Sequence, residues 1–286
     1  MDAVRVITRA ERDLLGEGPF WSVRHNALFW VDILGCAVNR LSLADESVTR
    51  WQLAEPIGWL IERENAPGFM AGLKSGFAEL EFDPLRIVHV LNPEPGLADH
   101  RMNDAKADGS GRIWAGTMAM GGDRADGALY RFGADRKAVR VDAGYTIPNG
   151  PAFSPDGRRM YHADSALRVV YCYDVDRDGE PGERRVFVRF EPDWGLPDGM
   201  TVDSDGGLWV AHWGAGRVSR FDETGSLDCF IELPARQITS CVFAGRNLDR
   251  LFVTSAAQGL EHEPYAGALF EVRTSRRGLA PNLYRG

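Results

Sequence analysis

No uninterrupted apolar run in this 286-residue sequence approaches the roughly 18–20 residues that span a bilayer, so no membrane-crossing helix is expected. The opening residues, MDAVRVITRAERDLLGEG, carry charge throughout and lack the apolar core of a secretory signal. The sequence therefore reads as cytoplasmic. Cysteine is scarce: Cys36, Cys172, Cys229 and Cys241 lie far apart with no CxxC spacing. That pattern suits small buried side chains in a reducing compartment better than disulfides. Basic residues are outnumbered, 33 Lys and Arg against 41 Asp and Glu, and the net charge of −8 argues against a nucleic-acid backbone as partner. HExxH and GxSxG are both missing, which disfavours a zinc protease or a serine hydrolase with a nucleophile elbow. Useful helical periodicity is missing too, and no linker divides the chain, so residues 1–286 are expected to form one domain.

Turn chemistry is abundant: 32 Gly and 15 Pro fall between short apolar runs, as turn-rich β structure requires. A repeat organises these runs. GEGPFW (16–21), PIGWLI (56–61), MNDAKAD (102–108), PNGPAF (148–153), PDGMTV (197–202) and TSCVF (239–243) recur at intervals of roughly 40–50 residues, the period of propeller blades. Each is followed by a second run, such as ALFWVDI (27–33) or GLWVAHW (207–213), and then by a third, such as AVNRLSL (37–43) or GALFEVR (267–273). Five repeats carry a fourth run, among them VTRWQL (48–53) and RVFVRF (185–190). The sixth lacks one, and the unused AVRVIT (3–8) can supply it. The pattern predicts an all-β, six-bladed β-propeller whose last blade is closed by the N-terminal strand, an architecture that leaves only short protected edges.

In a propeller the first strand of each blade lines the central channel. Aligned residues of the six first runs are Glu17, Gly58, Asn103, Asn149, Asp198 and Ser240. Two carboxylates and two carboxamides in one ring would repel and resist burial unless a cation sat among them. The set holds no Cys or His, so a hard divalent ion with oxygen ligands is the first expectation. Alone, Gly-Glu-Gly-Pro, Pro-Asn-Gly-Pro and Pro-Asp-Gly-Met would each read as a turn. Their recurrence at matching places favours the metal reading.

The same residues carry a family likeness. With LGEGPFW, RMNDAKADGSGRIWAGTM (101–118), IPNGPAFSPDGRRMY (147–161), LPDGMTVDSDGGLWVA (196–211), ITSCVFAGRNLDRLFVTSA (238–256) and GLAPNLYRG in order, the chain resembles the gluconolactonase/senescence-marker-protein (regucalcin-like) family. The resemblance implies a metal-dependent hydrolase that opens sugar lactones (aldonolactones) to aldonic acids. It implies one divalent metal ion, Ca²⁺, Zn²⁺, Mn²⁺, Mg²⁺ or Fe²⁺, on Glu17, Asn149 and Asp198. It makes Asp198 the acid/base as well, and Arg101 and Asn103 substrate-binding residues. Where animal members follow AGTM with acidic residues, this chain has AGTMAMGGDRADG, which puts Gly121 there and leaves Asp123 as a possible substrate contact. A small sugar lactone is the expected partner, with no nucleic acid, membrane or obligate protein. The competing readings are a promiscuous esterase or organophosphate hydrolase and a non-catalytic calcium-binding propeller.

Two other signals are read as structural. DVDRDGEPGERR (174–185) imitates a calcium loop, but Arg185 stands where a bidentate Glu is needed, and a hairpin loop is expected instead. The eight Trp sit mostly in the strand runs and are expected in the core.

Overall fold

The computed structural model describes residues 4–286. Six four-stranded antiparallel sheets follow one another along the chain. Blade 1 is β2 (Gly16–Ser22), β3 (Ala27–Asp32), β4 (Ala37–Ser42) and β5 (Val48–Gln52). Blade 2 is β6 (Ile57–Glu62), β7 (Phe69–Leu73), β8 (Gly76–Glu81) and β9 (Arg86–Leu91). Blade 3 is β10 (His100–Ala107), β11 (Ile113–Ala119), β12 (Gly127–Phe132) and β13 (Ala138–Tyr145). Blade 4 is β14 (Pro148–Phe153), β15 (Arg159–Asp164), β16 (Val169–Asp174) and β17 (Arg185–Arg189). Blade 5 is β18 (Leu196–Val202), β19 (Leu208–Trp213), β20 (Arg217–Phe221) and β21 (Leu227–Glu232). Blade 6 joins the ends of the chain: β22 (Ile238–Ala244), β23 (Arg250–Ser255) and β24 (Phe270–Arg273) are completed by β1 (Val4–Val6), with Val4 opposite Val272 and Val6 opposite Phe270. The six-bladed β-propeller and its closure by the N-terminal strand are thus as read from the repeat; Ala3, the first residue of that run, lies outside the described residues. Among the described residues no helix is long and apolar enough to cross a membrane.

Burial falls steeply from the axis outward. β2 and β6 are buried along their whole length, whereas β21 is exposed at most positions. Large side chains fill the spaces between blades: Trp30, Trp59, Trp114 and Trp209 are fully buried, as expected for core aromatics. Three of these indoles donate to a buried carboxylate, Trp30 to Asp13, Trp114 to Asp108 and Trp209 to Asp203, so each polar tip is satisfied inside the core. Asp108 and Asp203 also accept backbone N–H groups of the turns they open. One side chain therefore makes both the turn and the anchor for the strand after it.

Two details depart from the sequence reading. The third strand of the sixth repeat begins at Phe270, because Gly267 takes φ +74° and Ala268 N–H bonds back to Tyr265 O in a turn. Cys172 and Cys241 are buried as expected, whereas Cys36 is half-buried and Cys229 is exposed on the outer strand of blade 5. The calcium-loop mimic is the β16–β17 hairpin loop. Asp176 Oδ1 accepts from Asp178 and Glu180 N–H, while Arg112 and Arg131 of blade 3 donate to the Asp178 and Gly179 carbonyls. Asp176 Oδ1 and these two carbonyls are thus engaged by the protein itself.

After β24 the chain runs under the propeller. Arg277 O accepts from Ser204, Gly278 N–H donates to Leu248 O, Tyr284 pairs with Glu62 and Glu64, and Arg285 N–H donates to Gly111 O. Asn282 Nδ2 donates to Ala107 O. Blades 2, 3, 5 and 6 are tied together by this one segment. Leu279–Asn282 cover the distal ends of the inner strands, leaving a small cavity of about 100 Å³ against Phe20, Ile61, Val202 and Phe243.

Candidate active site

All six inner strands break register at one place. The irregularity falls between Glu17 and Phe20, Ile57 and Trp59, Met102 and Ala105, Asn149 and Ala152, Pro197 and Met200, and Ile238 and Ser240. A bulge bends the strand and re-aims a side chain that the pleat would otherwise direct elsewhere. Here it does so at or beside every ring position, near the end of the channel opposite the C-terminal segment. Glycine and proline serve this geometry: Gly18 and Gly150 take φ of +51° and +85°, values that favour glycine.

The ring positions meet their neighbours from blade to blade. A methyl group on Gly58 would lie 2.4 Å from Asn103 O, so glycine there lets two inner strands touch through backbone. A methyl on Gly199 would lie 2.1 Å from Ser240 Oγ. Asn103 Nδ2 donates to Asn149 Oδ1 at 3.0 Å and to Pro148 O at 2.7 Å. Gly58 and Ser240 are therefore packing positions, and oxygen donors concentrate on the other four.

Glu17, Arg101, Asn103, Asn149 and Asp198 are all between 3% and 7% exposed. Glu17 and Asp198 face each other closely enough that each carboxyl shifts the ionisation of the other. Burial first and then the charge of Asp104 push the Glu17 carboxyl up to about 8, against the Gly18 N–H, Lys106 and the facing Asp198, which pull it down. Asp198 is raised well above the carboxylate range, by desolvation first and then by the charges of Glu17 and Asp104. Two such groups in contact cannot both ionise without a counter-charge. Arg101 supplies part of it, and burial lowers its own guanidinium to about 10. Its Nη1 donates to Met102 O at 2.9 Å and to Asn103 Oδ1 at 2.6 Å, which leaves Nε and Nη2 for another partner.

This donor set fits a hard divalent cation. It offers the facing Glu17 and Asp198 carboxyl groups and the Asn149 carboxamide oxygen, which has one acceptor direction left beside the bond from Asn103. Among the described residues no group of three or more His, Cys, Asp and Glu side chains is placed to hold a metal. Any cation here would thus depend on an amide oxygen as well as carboxylates.

Beside Arg101, between blades 2 and 3, opens a pocket of about 340 Å³ lined by Glu55, Lys74, Asn92, Glu94 and His100 among others. Its volume falls within the range of small-ligand sites. Glu17, Asn149 and Asp198 do not line it; Arg101 stands between the pocket and the carboxyl pair.

Of the six side chains singled out in the sequence, five converge. Asp123 remains exposed on the β11–β12 loop, folded back over Gly121, with no hydrogen bond to the other five. His162 and His212 are buried against Tyr145 and Phe190 respectively. Sequence reasoning passed over Asp104. It is buried, and its two oxygens accept from Ala105 N–H at 2.7 Å and from Gly150 N–H at 2.9 Å, behind Asn149. Its place directly after Asn103 was the available signal. Lys106, two residues further on, is half-buried and close enough to stabilise the charges of Glu17 and Asp104.

The sequence pattern of the SMP-30/Gluconolactonase/LRE-like region matches residues 15–257. The chain is similar to 6-deoxy-6-sulfogluconolactonase of Pseudomonas putida, with 38% identity over 96% of both chains. It is 35% identical to regucalcin of Danio rerio, again over 96% of both. A crystal structure described as a calcium-binding protein, regucalcin, from Agrobacterium tumefaciens superposes with a TM-score of 0.93 at 29% identity, covering 100% of this chain and 98% of the other. With its six blades, its buried carboxyl pair and these matches along nearly its whole length, the chain belongs to the SMP-30/gluconolactonase/LRE-like family.

Proposed function

We propose that this protein is a hydrolase that opens sugar lactones to aldonic acids, using a divalent cation held by Glu17, Asn149 and Asp198. The observation that carries the proposal is the buried carboxyl pair, Glu17 with Asp198, beside a carboxamide and a guanidinium at one end of the channel. The lactonase activity named for the Pseudomonas putida relative supports the substrate class, and the calcium-binding description of the Agrobacterium tumefaciens structure supports a divalent ion.

When bound, such an ion polarises a carbonyl and lowers the pKa of a neighbouring water. The rest falls to the side chains. Asp198 accepts the proton of the attacking water as its oxygen bonds to the lactone carbonyl carbon, and returns that proton to the ring oxygen as the ring carbon–oxygen bond breaks. The free Nε and Nη2 of Arg101 hold sugar hydroxyls in a fixed fork. Asn103 has already spent both amide hydrogens on Pro148 and Asn149. Toward a sugar it contributes an acceptor oxygen only. Asp123 reaches substrate only if its loop folds inward.

The test is acid release from glucono-, galactono-, xylono- and arabinonolactone, before and after chelation and with cation restored. Turnover lost on chelation and recovered with metal is expected. Equal rates with and without chelator would end the metal-dependent reading, and no acid from any lactone would end the lactonase reading.

A further inference from the structure

Three hydrogen bonds around the site follow one rule. The carbonyl immediately before each proposed ligand accepts from a buried side chain of the preceding blade. Thr239 Oγ1, on β22 of blade 6, donates to Gly16 O, before Glu17 of blade 1. Asn103 Nδ2 of blade 3 donates to Pro148 O, before Asn149 of blade 4. Ser165 Oγ, in the turn after β15 of blade 4, donates at 2.6 Å to Pro197 O, before Asp198 of blade 5. Among the described residues no side chain donates to the corresponding carbonyls of Ile57 and Thr239, which precede Gly58 and Ser240. The device marks the blades that carry proposed ligands.

Its chemistry is specific. Ser165 has a single hydroxyl proton and gives it to Pro197 O, while its lone pair accepts from Asn149 Nδ2 at 2.8 Å. One hydroxyl thus joins the side chain of one ligand to the backbone of the next. Thr239 Oγ1 lies 2.8 Å from Thr254 Oγ1, which ties it to the neighbouring strand. Both residues are 4% exposed or less. At a bulge the ladder is locally interrupted, so sheet bonding constrains the inner strand least where a ligand must be placed. A donor from the adjacent blade supplies that constraint.

We propose that Thr239 and Ser165 are positioning residues that set the spacing of Glu17, Asn149 and Asp198 across blade boundaries, with Asn103 as the third member of the same collar. This rests on the reading of those three side chains as cation ligands. Removing partners that orient ligands weakens metal binding by about 10–100-fold in comparable sites.

The experiment uses full-length Ser165→Ala, Ser165→Thr, Thr239→Val and Thr239→Ser. Each is stripped of metal and titrated calorimetrically with Ca²⁺ and Mn²⁺, while circular dichroism follows the unfolding midpoint of the metal-free form. Ser165→Ala and Thr239→Val are expected to weaken the cation Kd by about 10–100-fold, with the metal-free midpoint little changed. Ser165→Thr and Thr239→Ser, which keep the hydroxyl, are expected to return toward parental affinity. Parental affinity in both hydroxyl-deleted variants overturns the inference. So does a loss of affinity that only tracks a lowered midpoint and that the hydroxyl-retaining variants do not rescue. A parent protein that takes up no cation overturns the proposed function and this inference together, whereas normal uptake by parent and variants alike overturns the inference alone. The two sites are independent, so a variant that fails to fold leaves the other to decide.

Discussion

Glu17 of blade 1 and Asp198 of blade 5 face each other with carboxyl groups close enough to shift one another's ionisation, in a site where neither is more than 6% exposed. Such a pair costs stability in the free protein and makes sense where a cation takes over the neutralisation that protonation otherwise provides. Substituting either group therefore separates stability from function. Glu17→Gln and Asp198→Asn are expected to lower lactone turnover by about 10²–10⁴-fold while leaving the metal-free unfolding midpoint unchanged or raised. Steady-state rates and thermal denaturation check the two halves. A collapse of the midpoint in both variants would mean that the pair holds the fold together.

The same pair sets a pH dependence. With Glu17 pushed up to about 8 and Asp198 raised as well, the metal-free site keeps at least one proton at neutral pH. A cation must displace it. Affinity is therefore expected to rise with pH through neutrality, and binding at pH 7 to release at least one proton. Calorimetric titration in two buffers of different ionisation enthalpy measures the release. An identical apparent enthalpy in both would show that no proton leaves.

How much of this was legible in the sequence can be argued residue by residue. The blades were, because each repeat carries its own turns and alternating runs, and because the missing fourth strand of blade 6 had a spare partner at the N-terminus. Glu17, Asn149 and Asp198 were, because identical offsets in a repeat become neighbours around an axis. The bulges were not, and neither was the close approach of Gly58 in blade 2 to Asn103 O, a contact between segments far apart in sequence. For the same reason the hydrogen bonds of Asn103 escaped the sequence, since its amide is spent on Pro148 and Asn149 of the next blade. Asp104 was hidden by its neighbour, because a single inward residue per strand is what a regular pleat predicts and a bulge presents two.

Acid stability turns on the two buried histidines. Burial depresses His162 and His212 to about 3, so both stay neutral in the folded protein when the unfolded chain, near 6.5, has already taken up protons. Their folded values lie below the unfolded ones. Their contribution is thus complete above pH 6.5 and is lost as pH falls from 6.5 toward 3. Among the described residues neither ring nitrogen of His162 has a hydrogen-bond partner, and the ring packs edge-on against Tyr145. His162→Phe keeps that packing and removes the titration. Its unfolding free energy is expected to fall less steeply than the parent's between pH 6 and pH 4 in denaturant titrations. Parallel slopes would show that His162 takes no part in acid unfolding.

The C-terminal segment closes the channel from below, and Tyr284 anchors it. That side chain is 2% exposed, stacks on Phe132 at 5.6 Å, and donates from its hydroxyl to Gly133 O at 3.0 Å, while its backbone pairs with blade 2. Replacing a buried aromatic by alanine costs roughly 3–5 kcal/mol, so Tyr284→Ala is expected to lower stability by about that amount. Deleting residues 279–286 goes further. It uncovers Phe20, Ile61, Val202 and Phe243 at the distal ends of the inner strands and removes the tie between blades 2 and 3. The truncated protein is expected to bind an apolar dye that the parent does not, and to unfold at a lower temperature. The carboxyl pair lies at the other end of the inner strands, so cation affinity below the unfolding midpoint should survive in Tyr284→Ala. Dye fluorescence, thermal denaturation and calorimetry on the same preparations check the three points. A truncated chain as stable as the parent would show that the six blades close without their strap.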